Sequence, residues 1–409
     1  MTAAGLPAGP GALRRHNLGL VLGALRGGPL SRAELAARTG LTRATVATLV
    51  EPLLDGGVLA EELAVPRGVG RPSRPLRFHE RGPVALGVAI DVDALTVAGV
   101  DLGGRVVALE RVEGDNRQLP AAAILARAGE LAAQVRAALG RPVLGAGVAV
   151  PGLLGEPGSG AGSGTAAGSG TAGGIGAAGG IRRGGGVVLR APNLPLLTGT
   201  RPGPVLAAAL GVPVSVENEA TLGALAHLGL APDFVYLSAG IGLGGGVVIG
   251  GRVFRGARGL AGELGHVVIE RDGPRCGCGG RGCVEQYAGR GALLRDAGLP
   301  DVDALRHALD LGERRATAAV RRAGSALGVA VASVVNLLDV PTIVLGGDYA
   351  ELADVLGPAL AGELRNRSLH PDPPRVIASD ADGSAAVRGA ARLVLEDALR
   401  APDRLTAAP

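Results

Sequence analysis

The chain contains no lysine and no tryptophan, so all 41 of its basic residues are arginine. Phenylalanine and tyrosine occur three times each, and aromatics make up only 1% of the residues. A core must therefore be assembled from alanine, valine, leucine and isoleucine, and the 47% hydrophobic content is enough for that. No unbroken apolar run of about 18 residues occurs, which argues against a membrane span. No basic start leads into an apolar segment, which argues against a signal peptide. Cysteine occurs three times, all within eight residues, so no disulfide framework can be drawn and a reducing cytoplasm is expected. At 409 residues there is room for two or three domains.

What is present is distributed unevenly. Residues 1–80 hold ten arginines against six acids, a net of +4 that equals the net charge of the whole chain. A basic head on a neutral body suits nucleic-acid binding. Residues 1–11 are small and rich in Gly and Pro, and a disordered tail is expected there. Leu18, Val21, Leu22 and Leu25 recur at helical spacing, and Gly27-Gly28-Pro29 closes that helix. Ser31 and Glu34 form a capping box for a short second helix. Gly40 makes the turn, and Thr42 can cap a third helix with Val46, Leu49, Val50 and Leu53 on its inner face. Two short helices joined by a glycine turn predict a helix-turn-helix whose second helix enters the major groove. Thr42, Arg43, Thr45 and Thr48 are its candidate DNA contacts. Pro52 removes one N–H from that helix, behind its reading end. Val58–Glu61 and residues 74–79 read as the two strands of a wing. Between them, Arg71 lies in a Pro/Gly-broken arginine arm suited to a narrow minor groove.

The three thiols lie at Cys276, Cys278 and Cys283, with His266 ten residues before the first. Three sulfurs and one imidazole suit a closed tetrahedral zinc site, and the intervening glycines allow the tight turns it needs. Glu263 and Glu285 frame the set. Such a loop could present Glu263, His266 and Glu285 to a polar ligand. The stretch Glu263-Leu264-Gly265-His266 followed by Cys276 through Glu285 resembles the ExGH and CxCGxxGCxE patterns of the ROK family, which holds sugar kinases and sugar-responsive transcription factors. The resemblance implies zinc on His266 and the three cysteines, with Glu263, His266 and Glu285 toward a sugar. The head likewise resembles the DNA-binding domain of ROK repressors, with Gly70-Arg71-Pro72 as its hook, and sugar kinases of the family lack such a head.

The expected fold class is α/β: an N-terminal winged helix-turn-helix (12–80) followed by a two-lobed actin-like, ribonuclease-H-like ROK domain. Strands from Val84, Leu95 and Val106, a helix over 120–139 and a strand over 143–150 give the β-β-β-α-β order of a first lobe, taken as 81–201 plus 382–402. Residues 155–186 are a Gly/Ser/Ala/Thr insert whose composition predicts a floppy loop. A second lobe is taken as 202–381, with the zinc loop at 262–285. It starts near Pro202 and includes a strand ending at Glu217.

Two resemblance-based positions bear on catalysis. The DxGGT phosphate loop of the kinases aligns with Ala89-Ile90-Asp91-Val92-Asp93, which fills the phosphate space with side chains and negative charge. The kinase base position is Glu219, whose extra methylene shifts the carboxylate. Proton transfer tolerates such a shift less well than hydroxyl binding does. The expectation is a non-enzymatic, cytoplasmic, sugar-responsive regulator. It uses Asn218, Glu219, Glu263, His266 and Glu285 for the sugar, binds a double-stranded operator as a homodimer or homotetramer, and makes no membrane contact. The alternative is an ATP-dependent sugar kinase with an accessory DNA head.

Overall fold

The computed structural model describes residues 9–63, 73–155, 186–379, 383–402 and 405. Arg71 with its hook, and 156–185 of the insert, lie outside the described residues. The head holds α1 (Pro10–Leu25), α2 (Arg32–Thr39) and α3 (Arg43–Asp55), then β1 (Leu59–Glu61) and β2 (Leu76–Phe78). Helix α1 starts at Pro10, inside the expected tail, because proline at a first helical position lacks only an N–H that would find no partner there. The capping box is present: Ser31 Oγ accepts from Glu34 N at 3.2 Å, and Glu34 Oε2 accepts from Ser31 N at 2.8 Å. Gly40, at φ 73°, ends α2. Pro52 does not stop α3, which runs on to Asp55. Strands β1 and β2 pair antiparallel, and Leu30 bridges Leu76, which completes a winged helix-turn-helix.

The first lobe follows with β3 (Val84–Ile90), β4 (Ala94–Asp101), β5 (Val106–Glu113), α4 (Ala121–Leu139), β6 (Val143–Val150), β7 (Leu153–Gly155), β8 (Val187–Arg190), α5 (Pro202–Leu210) and β9 (Val214–Asn218). Its sheet runs β5-β4-β3-β6-β9, antiparallel up to β3 and parallel beyond it. Strand β9 pairs with β6 from Ala146–Val214 to Val150–Asn218, and α5 rests on α4. Both elements therefore belong to the first lobe, and the boundary expected at Pro202 moves to the end of β9. The run Thr198-Gly199-Thr200-Arg201-Pro202 looks like a linker but is only a turn into α5.

Beyond Asn218 come α6 (Glu219–Ala226), β10 (Phe234–Ala239), β11 (Leu243–Ile249), β12 (Arg252–Val253), α7 (Glu285–Ala288), α8 (Arg290–Ala297), α9 (Val302–Asp310), α10 (Arg314–Leu338), β13 (Thr342–Gly347), α11 (Asp348–Glu351), α12 (Ala353–Arg367), β14 (Arg375–Ala378) and α13 (Ala385–Arg400). The second sheet runs β12-β11-β10-β13-β14 and repeats the strand order and directions of the first. Two such sheets facing a cleft are the actin-like arrangement. Among the described residues one helix, α10, is long and apolar enough to cross a membrane. It lies against α12 with 56% of its most apolar window buried, as a core helix does.

Helix α13 returns to the first sheet and crosses β3 and β6 at very short range. A Cβ on Gly87 would stand 1.9 Å from Val387 O, and one on Gly147 would stand 1.9 Å from Ala390 O. Its other side meets α6 and α1. Leu18, Leu22 and Leu25 of the head share one buried cluster with Leu395 and Leu399 of α13. The DNA-binding head is thus seated on the helix that closes the first lobe.

Candidate metal centre and ligand cleft

Three residues, Leu264–His266, make a 3₁₀ turn. Gly265 is needed because a Cβ there would stand 2.2 Å from Leu243 O, so only glycine lets the turn lie on β11. The turn aims His266 Nδ1 at Cys276 Sγ, 3.7 Å away, while Cys278 Sγ and Cys283 Sγ lie 3.6 Å apart. One ligand atom from each of the four residues falls within 4.8 Å of all the others. Sulfurs on one tetrahedral ion with bonds of about 2.3 Å lie about 3.8 Å apart, whereas a disulfide needs about 2.05 Å. The donor set therefore fits a metal ion. Short backbone bonds hold the loop, with Cys276 N donating to Gly280 O and Gly279 N to Cys276 O, both at 2.9 Å. Burial pushes the Cys283 thiol up to about 12, and the neighbouring thiols add to the effect. A bound cation would reverse that order by stabilising thiolates.

The turn also sets the two framing glutamates. In a 3₁₀ turn residues i and i+3 eclipse one another, and Glu263 Oε2 lies 4.0 Å from His266 Nε2. Burial raises the Glu263 carboxyl above its usual range, against the pull of His266. Glu285 opens α7, and its Oε2 accepts from Leu243 N at 3.0 Å, tying the metal loop to the mouth of β11. At Gly242 a Cβ would stand 2.6 Å from Asn193 Nδ2 and 3.1 Å from Glu285 Oε2, so glycine leaves these two side-chain ends in place. The glycine stretch 240–246 thus serves as the β10–β11 turn, a passage for side chains and a seat for α6.

Asn218 caps α6. Its Oδ1 accepts from Ala220 N and Thr221 N, at 2.9 and 3.1 Å, and its Nδ2 donates to Gly152 O at 2.9 Å. Most of its capacity is spent on structure, and its main effect is to place Glu219 at the start of the helix. Glu219 and Asp91 share a hydrogen bond. Burial, followed by the charge of Asp91, pushes Glu219 up to about 8. Burial and the neighbouring carboxylate thus favour the protonated form of Glu219, which can donate to Asp91.

All five candidate sugar residues line one cavity of about 100 Å³: Asn218, Glu219, Glu263, His266 and Glu285. Asn193 lines it as well. Glu219 and Asn193 also line a second, adjoining cleft of about 360 Å³, which contains Asp91, Asp93, Arg290 and Asp348. Arg290 and Asp348 had no assigned role. Their one sequence signal is that Asp348 directly follows a buried parallel strand, at the strand end where α/β sheets gather ligands. In the head, Arg43 is exposed at the start of α3. Thr42 and Thr45 hydroxyls lie 2.8 Å apart within the cap, and Thr48 Oγ1 donates to Ala44 O. Of the head's excess arginines, Arg32 and Arg74 pair with Glu61, and Arg77 with Glu62 and Glu80.

The sequence model of the ROK family matches residues 163–397. The xylose repressor of Caldicellulosiruptor bescii is 26% identical, over 91% of this chain and 94% of its own length. The crystal structure of a ROK family transcriptional regulator, described as a homolog of the E. coli MLC protein, superposes with a TM-score of 0.74 at 26% identity. That match covers 96% of this chain and 99% of the regulator. A ROK family glucokinase from Streptomyces griseus, solved with glucose and AMPPNP, gives 0.61 at 25% identity and covers 98% of the kinase but only 75% of this chain.

Proposed function

Because the chain belongs to the ROK family, we propose that it is a sugar-responsive transcriptional repressor that senses its effector in the 100 Å³ cavity beside the metal centre. The observation that carries this reading is the near full-length likeness to a ROK regulator, head included, where a family kinase leaves a quarter of the chain unmatched. His266, Cys276, Cys278 and Cys283 hold one zinc ion in this reading, and the ion supplies rigidity to the ligand loop. His266 gives Nδ1 to the sulfur cluster and keeps Nε2, beside Glu263, for a sugar hydroxyl. Glu285, Asn193 and the remaining amide hydrogen of Asn218 add acceptors and donors around the same ligand. Protonated Glu219 closes the far side.

Binding is coupled to DNA through packed elements. Helix α6 begins at Glu219, and Arg392 Nη1 of α13 donates to Ala226 O at its far end, at 3.3 Å, and to Leu228 O just beyond it, at 2.9 Å. Arg392 Nε lies 3.4 Å from Glu396, and Arg26, the residue that caps the end of α1, reaches the same carboxylate at 2.5 Å. A shift at the cleft thereby reaches the head, where α3 meets the major groove with Arg43, Thr42, Thr45 and Thr48. The arm with Arg71 takes the minor groove. The partners are a double-stranded operator and a second copy or copies of the chain, as homodimer or homotetramer, in the cytoplasm.

Catalysis is disfavoured because Asp91 and Asp93 bring carboxylates to the cleft that Glu219 also lines, where phosphates would be repelled, and because the extra methylene of Glu219 shifts its carboxylate from the kinase base position. The decisive experiment is fluorescence anisotropy on an operator fragment with a sugar panel led by xylose, together with ATP turnover over the same panel. A sugar that weakens operator binding while ATP stays intact supports the sensor. Turnover that Glu219→Ala abolishes makes the chain a kinase. Operator affinity indifferent to every sugar makes the cleft inert.

A further inference from the structure

Arg290 stands in the larger cleft where the two lobes meet. Its Nε donates to Asp348 Oδ2 at 2.7 Å and its Nη2 to Asp348 Oδ1 at 3.0 Å, a two-point pair within the second lobe. Its Nη1 donates to Asp93 Oδ2 at 2.9 Å, and Asp93 lies in the β3–β4 turn of the first lobe. An arginine at the first position of a helix opposes the helix dipole, so α8 gains nothing from this charge. Burial also opposes it, yet Asp348 and then Asp93 outweigh burial and hold the guanidinium above its usual range. The two arms are unequal. The Asp348 side chain is 12% exposed and held by two bonds, whereas that of Asp93 is 44% exposed and held by one.

We propose that Arg290, anchored on Asp348, is a built-in clamp that draws the lobes together through Asp93 in the space a nucleotide would need. The chain then closes its cleft with its own side chains and is specific for the sugar alone. Opening breaks the single, exposed Arg290–Asp93 contact and leaves the paired Arg290–Asp348 contact intact. Asp93 is thus the specificity-determining residue: it excludes phosphates by charge and replaces them as the interlobe tie. The proposal rests on the sensor reading only for what opening does at the operator.

Amide hydrogen exchange of the full chain without ligand tests it. Asp93→Asn is expected to speed exchange in peptides covering 90–95, 240–242 and 346–351 by about two- to fivefold, the upper range for one partly exposed ion pair. Raising salt from about 0.05 to about 1 M should speed the same peptides in the wild type and leave Asp93→Asn unchanged. Added ATP should protect none of them. Equal exchange in wild type and variant, a flat wild-type salt series, or protection by ATP overturns the clamp. If Asp93→Asn does not fold, the wild-type salt series decides alone. A chain with salt-dependent exchange that ignores every sugar retains the clamp and loses the sensor reading.

Discussion

Glu219 carries a proton that its ordinary value of 4.5 would not allow, because burial and Asp91 push it up to about 8. The sign of the consequence is fixed. The folded state holds this proton more tightly than the unfolded chain does. The resulting stability is complete below about pH 4.5 and is lost as pH rises through about 8. Glutamine copies the protonated acid and still donates to Asp91. The melting temperature of wild type relative to Glu219→Gln should therefore fall between those two pH values and level off above them, as differential scanning calorimetry can follow. The cysteines make a second prediction at this scale. Cys276→Ser should lose zinc by metal analysis, and chelation of the wild type should lower its melting temperature and abolish sugar binding. Serine is a poor ligand for a site built on thiolates. Metal retained in Cys276→Ser would refute the assignment. These residues were legible because metal-ligating chemistry is local in sequence: four donors fit within 266–283. The Arg290 clamp was not legible, since its carboxylates lie 58 and 197 residues away and no periodicity marks them.

At the scale of elements, helix α3 is the proposed reading head, and its value depends on what its first turn exposes. Arg43→Ala should weaken operator binding by about 1–3 kcal/mol if it meets a base edge, or lower the salt slope by about one if it meets a phosphate. Titrations at several salt concentrations separate the two. The capping residues Ser31, Glu34, Thr42 and Gly40 announced α2 and α3 because caps are short-range chemistry. Strand β9 was legible as a strand but not as a member of its sheet. Its alternating Val214 and Val216 give the strand, while its partner β6 lies more than sixty residues earlier. The seam between α1 and α13 was likewise invisible in sequence, because an amphipathic helix declares an inner face without naming what covers it. Leu22 is fully buried there, and Leu22→Ala should cost about 2–5 kcal/mol in denaturant unfolding.

Across the whole molecule, Glu396 is the carboxylate that Arg26 and Arg392 share, the last step of the proposed path from cleft to head. Burial works against its charge, but Arg26 and Arg392 outweigh burial and hold the carboxyl below its usual range. Glu396→Gln should leave sugar affinity and sugar-free operator affinity close to wild type. It should also shrink the sugar's effect on operator affinity, a coupling of about 1–3 kcal/mol in proteins of this kind. Loss of operator binding without sugar would instead make Glu396 a structural strut of the head. Helix α13 also has a temporal consequence. The first sheet is complete by Asn218, yet the helix that covers it comes far later in the chain, and Gly87 waits for a partner 300 residues downstream. Contacts of such sequence separation form late, so the inner face of the head, Leu18, Leu22 and Leu25, stays uncovered until α13 has been made. Chains truncated before Ala385 should therefore lose operator binding together with the sugar response, as anisotropy on the operator fragment can check, and reading and sensing mature at the same moment.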